Sequence, residues 1–246
     1  MFGLVLSIVA VVAGGIAAVA GFGIGSLLTQ LLTPILAVEI GTRLAVAATA
    51  IPHFIGTAQR FWLLRQHVDR HVVLGFGLAS AIGGLTGALV HTWLSSRILA
   101  VVFGVLLIVA AVSEFTGWIE RVRWGPRAAW VVGVLSGGLG GLVGNQGGIR
   151  SAAMLGFRVP KESFVATATA IGLFVDAARL PVYLFTQWHD IVAVWQLVTG
   201  ATVGVVVGTA LGTRVLGRIP QQIFRRIVAL LLLCLGLYMV GVGGQD

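Results

Sequence analysis

The chain has 246 residues, of which 58% are hydrophobic and only 10% are charged, and its mean hydropathy is +1.02. A soluble domain carries about 25% charged residues, so this composition excludes a soluble globular fold, whose surface would need many more polar side chains. The one cysteine, Cys234, excludes a disulfide framework and an all-cysteine metal site. The formal charge of +8 would suggest nucleic acid in a soluble protein, but here it is typical of basic residues at membrane ends. No nucleic-acid partner is therefore expected.

Eight stretches free of Asp, Glu, Lys and Arg predict eight transmembrane helices, and therefore an all-α polytopic protein embedded in the lipid bilayer. These stretches are 1–38, 44–59, 71–96, 98–113, 128–149, 163–175, 191–213 and 227–245. The segments 44–59 and 163–175 are short, so their helices must include flanking polar residues. Tryptophans at span ends are typical of the membrane interface. Those predicted to lie there are Trp62, Trp93, Trp118, Trp124 and Trp188.

The first stretch is too long for one helix, and four residues interrupt it. They are Gly21, Gly23, Gly25 and Pro34. We therefore predict a span over about 2–20, followed by a re-entrant or interfacial piece over about 22–36 that is too short to cross the membrane. No Lys or Arg precedes residue 43, whereas a cleaved signal peptide begins with basic residues, so the first helix is expected to stay in the mature protein.

Three features recur in the same order along the chain, which indicates an internal duplication with repeats at about 1–118 and 119–246. The residues 47–51 match 167–171, and each half has a glycine cluster and a row of small residues spaced by four. The rows are Gly75, Ala79, Gly83 and Gly87 in the third span and Gly200, Gly204, Gly208 and Gly212 in the seventh. Small residues at this spacing let helix backbones approach closely, so we expect the two rows to pack at the centre of the molecule.

Polar residues form a stripe on one helix face in both the second and the sixth span. They are Thr49, His53, Gly56 and Arg60 in the second span, and Thr169, Asp176 and Arg179 in the sixth. Ionisable groups are costly inside a span and indicate function by default, so His53 and Asp176 are candidate proton carriers. The structural alternative is an ion pair between Asp176 and Arg179, with His53 as a hydrogen-bonded core histidine.

A second glycine-rich break occupies residues 140–150. Such a break exposes backbone N–H groups, and a following helix N-terminus carries partial positive charge, which together favour a small anion. The predicted substrate-binding residues are Gly21, Gly23, Gly25, Thr49, Asn145, Gln146, Gly147, Gly148, Arg150, Thr169 and Arg179. The alternative for this break is a loop at the membrane surface with a solvated arginine.

Motifs of soluble enzymes are absent from the sequence. It has no G-x-G-x-x-G, Walker or H-E-x-x-H run, and its five histidines lack metal spacing, so no catalytic residue, metal or cofactor is predicted. An enzyme is therefore the least favoured class. Internal repeats with broken helices are typical of secondary transporters, in which one half rocks against the other around a site at the repeat interface.

The two four-span halves resemble the TauE/SafE sulfite-exporter-like permeases. A glycine-rich break and a helix with an Ala-Thr-rich start carry the resemblance in each half. The segments are 20–25 with 45–56, and 137–148 with 166–171. The resemblance implies a bacterial inner-membrane permease for small, often sulfur-containing anions such as sulfite or sulfonates, coupled to protons or to the membrane potential.

Two other functions remain open at this point, and so does a homo-oligomer. A passive anion channel would show neither proton coupling nor counterflow exchange. A membrane assembly protein without transport would keep its function when Asp176→Asn and Arg179→Gln are combined.

Overall fold

A computed structural model describes residues 2–19, 25–117, 126–144, 150, 161–215 and 221–243. This part of the chain forms eight helices and no strand, which confirms the all-α class. The helices are α1 (Phe2–Val19), α2 (Gly25–Leu64), α3 (Arg70–His91), α4 (Ser96–Thr116), α5 (Pro126–Val143), α6 (Lys161–Ala193), α7 (Trp195–Val215) and α8 (Gln221–Gly243). A 3-10 turn, Arg65–His67, follows α2, and Val73–Gly77 forms a π-helical turn inside α3.

Four of the eight described helices have the length and hydrophobicity that membrane spans require. Four helical stretches in the described residues are long and apolar enough to cross a membrane: Leu32–His67, Arg70–His91, Ser96–Ser113 and Ser163–Ala193. Trp62, Trp93 and Trp188 lie near helix ends with more than half of their surface exposed, as expected for interfacial tryptophans. The other two predicted interfacial tryptophans, Trp118 and Trp124, lie outside the described residues.

Helix α2 is a hairpin of two helical arms that meet at Gly41. This glycine has φ 74° and ψ 155°, a conformation that other residues rarely adopt. Thr33 and Thr49 are sixteen residues apart, yet their hydroxyl oxygens are only 3.4 Å apart. Sixteen residues of straight helix would separate them by about 24 Å. The arms 25–40 and 42–64 therefore fold back on each other.

The re-entrant arm is longer than the sequence predicted. We expected Pro34 to end it, but the helix continues through Pro34 up to the turn at Gly41. A proline removes one backbone hydrogen bond and bends a helix, but it cannot provide the positive φ that a hairpin turn needs. Helix α6 likewise continues through Pro181 and departs from helical geometry only at Gln187.

Glycines bring three pairs of helices into backbone contact: α1 with α7, α3 with α5, and α4 with α8. No side chain fits at these contacts, because a Cβ built on the glycine would lie 2.6 to 2.8 Å from an opposing backbone atom. The contacts are Gly14 on Val205, Gly83 on Gly138, and Gly104 on Gly236. Close approach of this kind is typical of membrane helices.

The two rows of small residues do pack, but the prediction that they meet each other was wrong. Gly83 and Gly87 of α3 contact α5, whereas Gly204 and Gly208 of α7 contact α1. A glycine row lets a backbone approach but does not select which helix approaches, so the row alone could not identify the partner. The centre of the molecule is instead formed by α2 and α6, which pack on each other.

Candidate functional site

His53 of α2 and Asp176 of α6 are in direct contact where the two central helices meet. The Nδ1 atom of His53 lies 2.5 Å from Oδ2 of Asp176. The Nε atom of Arg179 donates to Oδ1 of the same carboxylate at 2.9 Å, and its Nη2 lies 2.8 Å from that oxygen. All three side chains are at most 1% exposed, so a contact between ionisable side chains joins α2 to α6 away from solvent.

Helical spacing explains how these side chains come together. Asp176 and Arg179 are three residues apart on α6 and therefore share a face. On α2, the predicted stripe has Thr49, His53 and Arg60 buried, and its fourth member, Gly56, is half-buried. Removing one partner from a buried ion pair costs about 3–5 kcal/mol because it leaves a buried charge unpaired, so we expect the packing of α2 on α6 to be sensitive to the loss of Asp176.

Arg150 is a second fully buried guanidinium, with 1% of its surface exposed. It lies against the backbone of α6, because a Cβ built on Gly172 would be only 2.9 Å from its Nη1. Arg150 interacts electrostatically with Asp176 and with Arg60. We refer to His53, Asp176, Arg179 and Arg150 as the buried polar cluster.

Within the part of the chain that the structure describes, the atoms of the buried polar cluster that lack a hydrogen-bond partner are all nitrogens. They are Nε2 of His53, Nε and Nη1 of Arg150, and Nη2 of Arg179. The Nη2 atom of Arg179 is within ion-pair distance of Asp176 but is not aligned for a hydrogen bond. Two guanidinium groups share one carboxylate in this cluster. The cluster therefore carries an excess of positive charge together with unused donors.

The last turn of α5 is bound by side chains from two other helices, α3 and α6. Nη1 of Arg179 donates to the carbonyl of Gly140 at 2.7 Å, the Tyr183 hydroxyl donates to the carbonyl of Gly141, and Nδ1 of His91 lies 2.8 Å from the carbonyl oxygen of Leu142. Arg179 thus contacts both Asp176 and the end of α5.

Sequence reasoning did not single out Tyr183 and His91. Tyr183 follows Asp176 and Arg179 at positions seven and four residues later, so the spacing of the α6 stripe would have identified it. His91 has no such signal, since it lies alone among apolar residues of α3 and its carbonyl partner is distant in the sequence.

The two predicted threonines bond to their own helices. Thr49 donates to the carbonyl of Ala45 at 2.6 Å, and Thr169 donates to the carbonyl of Val165 at 2.8 Å. Both are hydroxyl bonds to the carbonyl four residues earlier. Thr49 also accepts from Thr33 inside the α2 hairpin. Both threonines are buried on the central helices, and their substrate role stays a prediction.

The glycine-rich breaks lie largely outside the described residues. The predicted site residues found there are Gly21, Gly23, Asn145, Gln146, Gly147 and Gly148. Gly25 begins α2, and Gly144 follows α5 with φ 78°.

Comparison with protein families identifies the chain. Residues 6–239 match the model of the family described as sulfite exporter TauE/SafE. The chain belongs to this family. Because the match covers nearly its whole length, it confirms the resemblance carried by the glycine-rich breaks and the Ala-Thr-rich helix starts. Neither a search of curated proteins nor a search of solved structures found a match.

Membership in the TauE/SafE family makes this chain an integral membrane protein of a transporter family. The apolar helices long enough to cross a bilayer agree with this location, and a bacterial inner membrane fits both observations.

Proposed function

We propose that this TauE/SafE protein is a secondary transporter that binds a small oxoanion at the buried polar cluster. The observation that carries the proposal is the set of nitrogens on Arg150 and Arg179 that have no hydrogen-bond partner among the described residues. The Nε2 atom of His53 would join them as a donor only when its ring is protonated. A buried donor without a partner costs about 1–3 kcal/mol, and more when it is charged. An anion with several oxygens supplies the acceptors that these nitrogens lack.

The donor set favours an anion with several oxygens around one centre. Guanidinium groups bind such anions through more than one charge-assisted hydrogen bond, and Arg150 offers both Nε and Nη1 for this purpose. Sulfite and sulfonates have three oxygens each, and the family description names sulfite. We therefore propose a sulfur oxoanion as the substrate.

The glycine-rich breaks are proposed to complete the site with backbone N–H groups and amide side chains. Their contributing residues are Gly21, Gly23, Gly25, Asn145, Gln146, Gly147 and Gly148. Thr49 and Thr169 are proposed to contribute hydroxyl oxygens from the two central helices.

The contact between His53 and Asp176 supports proton coupling as part of the proposal. A proton taken up by this pair adds one positive charge beside Arg150 and Arg179, which strengthens anion binding. By linkage, a bound anion strengthens proton binding by the same factor. The two ions would then cross together, and the uptake of the anion would follow the proton gradient.

The packing of the helices suggests which bodies move. The first helix of each half pairs with the third helix of the other half, as α1 with α7 and α5 with α3, and this reciprocity supports repeats at about 1–118 and 119–246. Rocking of one half against the other would break these backbone contacts. We propose instead that α1, α2 and α7 move against α3, α5 and α6, around the contact between His53 and Asp176.

The charge of Arg150 can be tested by flux measurements in proteoliposomes. Arg150→Gln keeps a long polar side chain and removes the charge, and Arg70→Gln is the matched control at an exposed arginine of α3. Uptake of labelled sulfite, methanesulfonate and phosphate would be measured below saturation. We expect Arg150→Gln to reduce uptake of the preferred anion about tenfold or more, and Arg70→Gln to leave it unchanged.

Each contrary result has a distinct meaning. Equal uptake by Arg150→Gln and wild type would remove Arg150 from the site. Uptake without counterflow exchange would identify a channel. A folded protein that neither binds nor moves any of the three anions would contradict transport of an oxoanion.

A further inference from the structure

Three consecutive carbonyls at the end of α5 accept hydrogen bonds from buried side chains. They belong to Gly140, Gly141 and Leu142, and the donors are Arg179, Tyr183 and His91. The last carbonyls of an α-helix lack partners within the helix and need water or side chains instead. Here all three donor side chains are fully buried, and so are Gly140 and Gly141, whereas Leu142 is half-buried.

We infer that Tyr183 and His91 are positioning residues that, together with Arg179, fix the end of α5 relative to the buried polar cluster. We call the three side chains the α5 clamp. Neither Tyr183 nor His91 belongs to the proposed proton or anion site. They would affect substrate binding only by fixing the position of the α5 backbone to which they bond.

The α5 clamp holds its helix end from two directions. Tyr183 and Arg179 approach from α6, and His91 approaches from α3. The rings of His91 and Tyr183 are 4.9 Å apart and tilted by 57°, so they support each other. The carbonyl of Gly140 also accepts from the N–H of Gly144 at 2.9 Å, which extends the constraint to the residue that follows α5 and has a positive φ.

A further contact fixes the position of His91 itself. Nη2 of Arg43 donates to the carbonyl of Thr92 at 2.5 Å, and the N–H of Arg43 donates to Oγ of Ser96 at 3.3 Å. Arg43 lies two residues after the hairpin turn at Gly41. The turn of the α2 hairpin is therefore connected through the end of α3 to the end of α5.

The consequence for binding rests on the proposed function. Arg179 belongs to both the α5 clamp and the buried polar cluster, so a shift of α5 moves an anion donor. Donors that are displaced by about 1 Å lose much of their effect on a bound group. We expect loss of a clamp bond to weaken anion binding without removing the ability to transport.

The first test measures amide hydrogen exchange of residues 140–144 in the full-length protein in nanodiscs. Tyr183→Phe removes one hydroxyl and keeps the ring, and His91→Leu removes the ring nitrogens. We expect exchange at 140–144 to become about fivefold faster or more in both variants. His91→Asn places an amide donor near the position of Nδ1 and should restore slow exchange. Thr86→Val, which removes a hydroxyl bond on the exposed side of α3, is the control and should change nothing there.

The second test measures KM and maximal rate for labelled sulfite in the same variants. We expect KM to rise several-fold in Tyr183→Phe and His91→Leu, to return toward wild type in His91→Asn, and the maximal rate to change little. Unchanged exchange at 140–144 would overturn the α5 clamp. Faster exchange with an unchanged KM would overturn its positioning role. If the wild-type protein moved no anion, the proposed function would fail, while the exchange data would still decide whether the clamp exists.

Discussion

The contact of α1 with α7 and the contact of α2 with α6 both join the two halves of the chain, but they do so with opposite chemistry. At the first contact, Gly208 brings two helix backbones together and leaves no room for a side chain. At the second, His53 and Asp176 join the helices through ionisable groups. Protonation does not alter a contact between two helix backbones, whereas the charge at a contact between ionisable side chains changes when a proton binds. We therefore expect the contact of α1 with α7 to stay fixed and the contact of α2 with α6 to respond to protons.

The largest effect is expected from Asp176→Asn at the ionic contact. This change leaves two buried guanidinium groups without a carboxylate, so we expect a loss of about 3–5 kcal/mol in the free energy of unfolding and the loss of proton-driven uptake. Chemical unfolding in detergent and flux in proteoliposomes would measure the two effects. Combining Asp176→Asn with Arg179→Gln removes both charges and should regain stability without regaining transport. Wild-type uptake by the double variant would show that the pair is only structural.

The next effect is expected from Gly208→Val at the backbone contact. The new side chain would collide with the backbone of Val11, and overpacking of this kind costs about 1–3 kcal/mol. Gly241→Val is the matched control in α8, because a Cβ at that glycine meets no atom within 4 Å. Thermal unfolding should separate the two variants. Equal midpoints would contradict the close approach of α1 and α7.

A smaller effect, limited to the pH dependence of transport, is expected from His53→Gln. Glutamine can still bond to Asp176 but cannot take up a proton at neutral pH. Under the proposed proton coupling, anion uptake by the wild type should rise as the pH on the side of proton entry falls. The rise should flatten in His53→Gln and persist in His189→Gln, an exposed histidine near the end of α6. An unaltered pH profile in His53→Gln would remove His53 from the proton path.

The smallest effect is expected from Thr169→Val on the central helix α6. The hydroxyl bonds to a carbonyl of its own helix, so its loss should change the free energy of unfolding by about 1 kcal/mol or less. A thermal shift with sulfite would report any change in affinity. A tenfold weaker affinity would show that the hydroxyl binds substrate directly, whereas a small change would limit its role to the helix.

The buried stripes of α2 and α6 could be predicted because helical spacing is a local property. Asp176 and Arg179 are three residues apart, and this spacing alone places them on one face. The apolar surroundings of His53 likewise predicted its burial. What the spacing could not show is that His53 contacts Asp176, since the two residues are 123 positions apart and meet only when α2 packs on α6.

The turn at Gly41 could not be predicted for a related reason. Gly41 is one of 35 glycines, and the sequence around it has no feature that separates it from the others. Its positive φ is favourable only because the two arms of the hairpin pack against each other, as the contact of Thr33 with Thr49 shows. Helix partners were unpredictable in the same way, because a row of small residues fits many surfaces.

The exchange of partners between the halves also has a consequence for biosynthesis. Helix α1 leaves the ribosome well before α7, which begins at Trp195, yet the glycine face that covers α1 belongs to α7. The surface of Gly14 must therefore stay in lipid until most of the chain has been synthesised. A chain terminated after α4 would have neither α7 to cover α1 nor α5 to cover α3, so assembly of the native helix pairs can be completed only when the second half has entered the membrane.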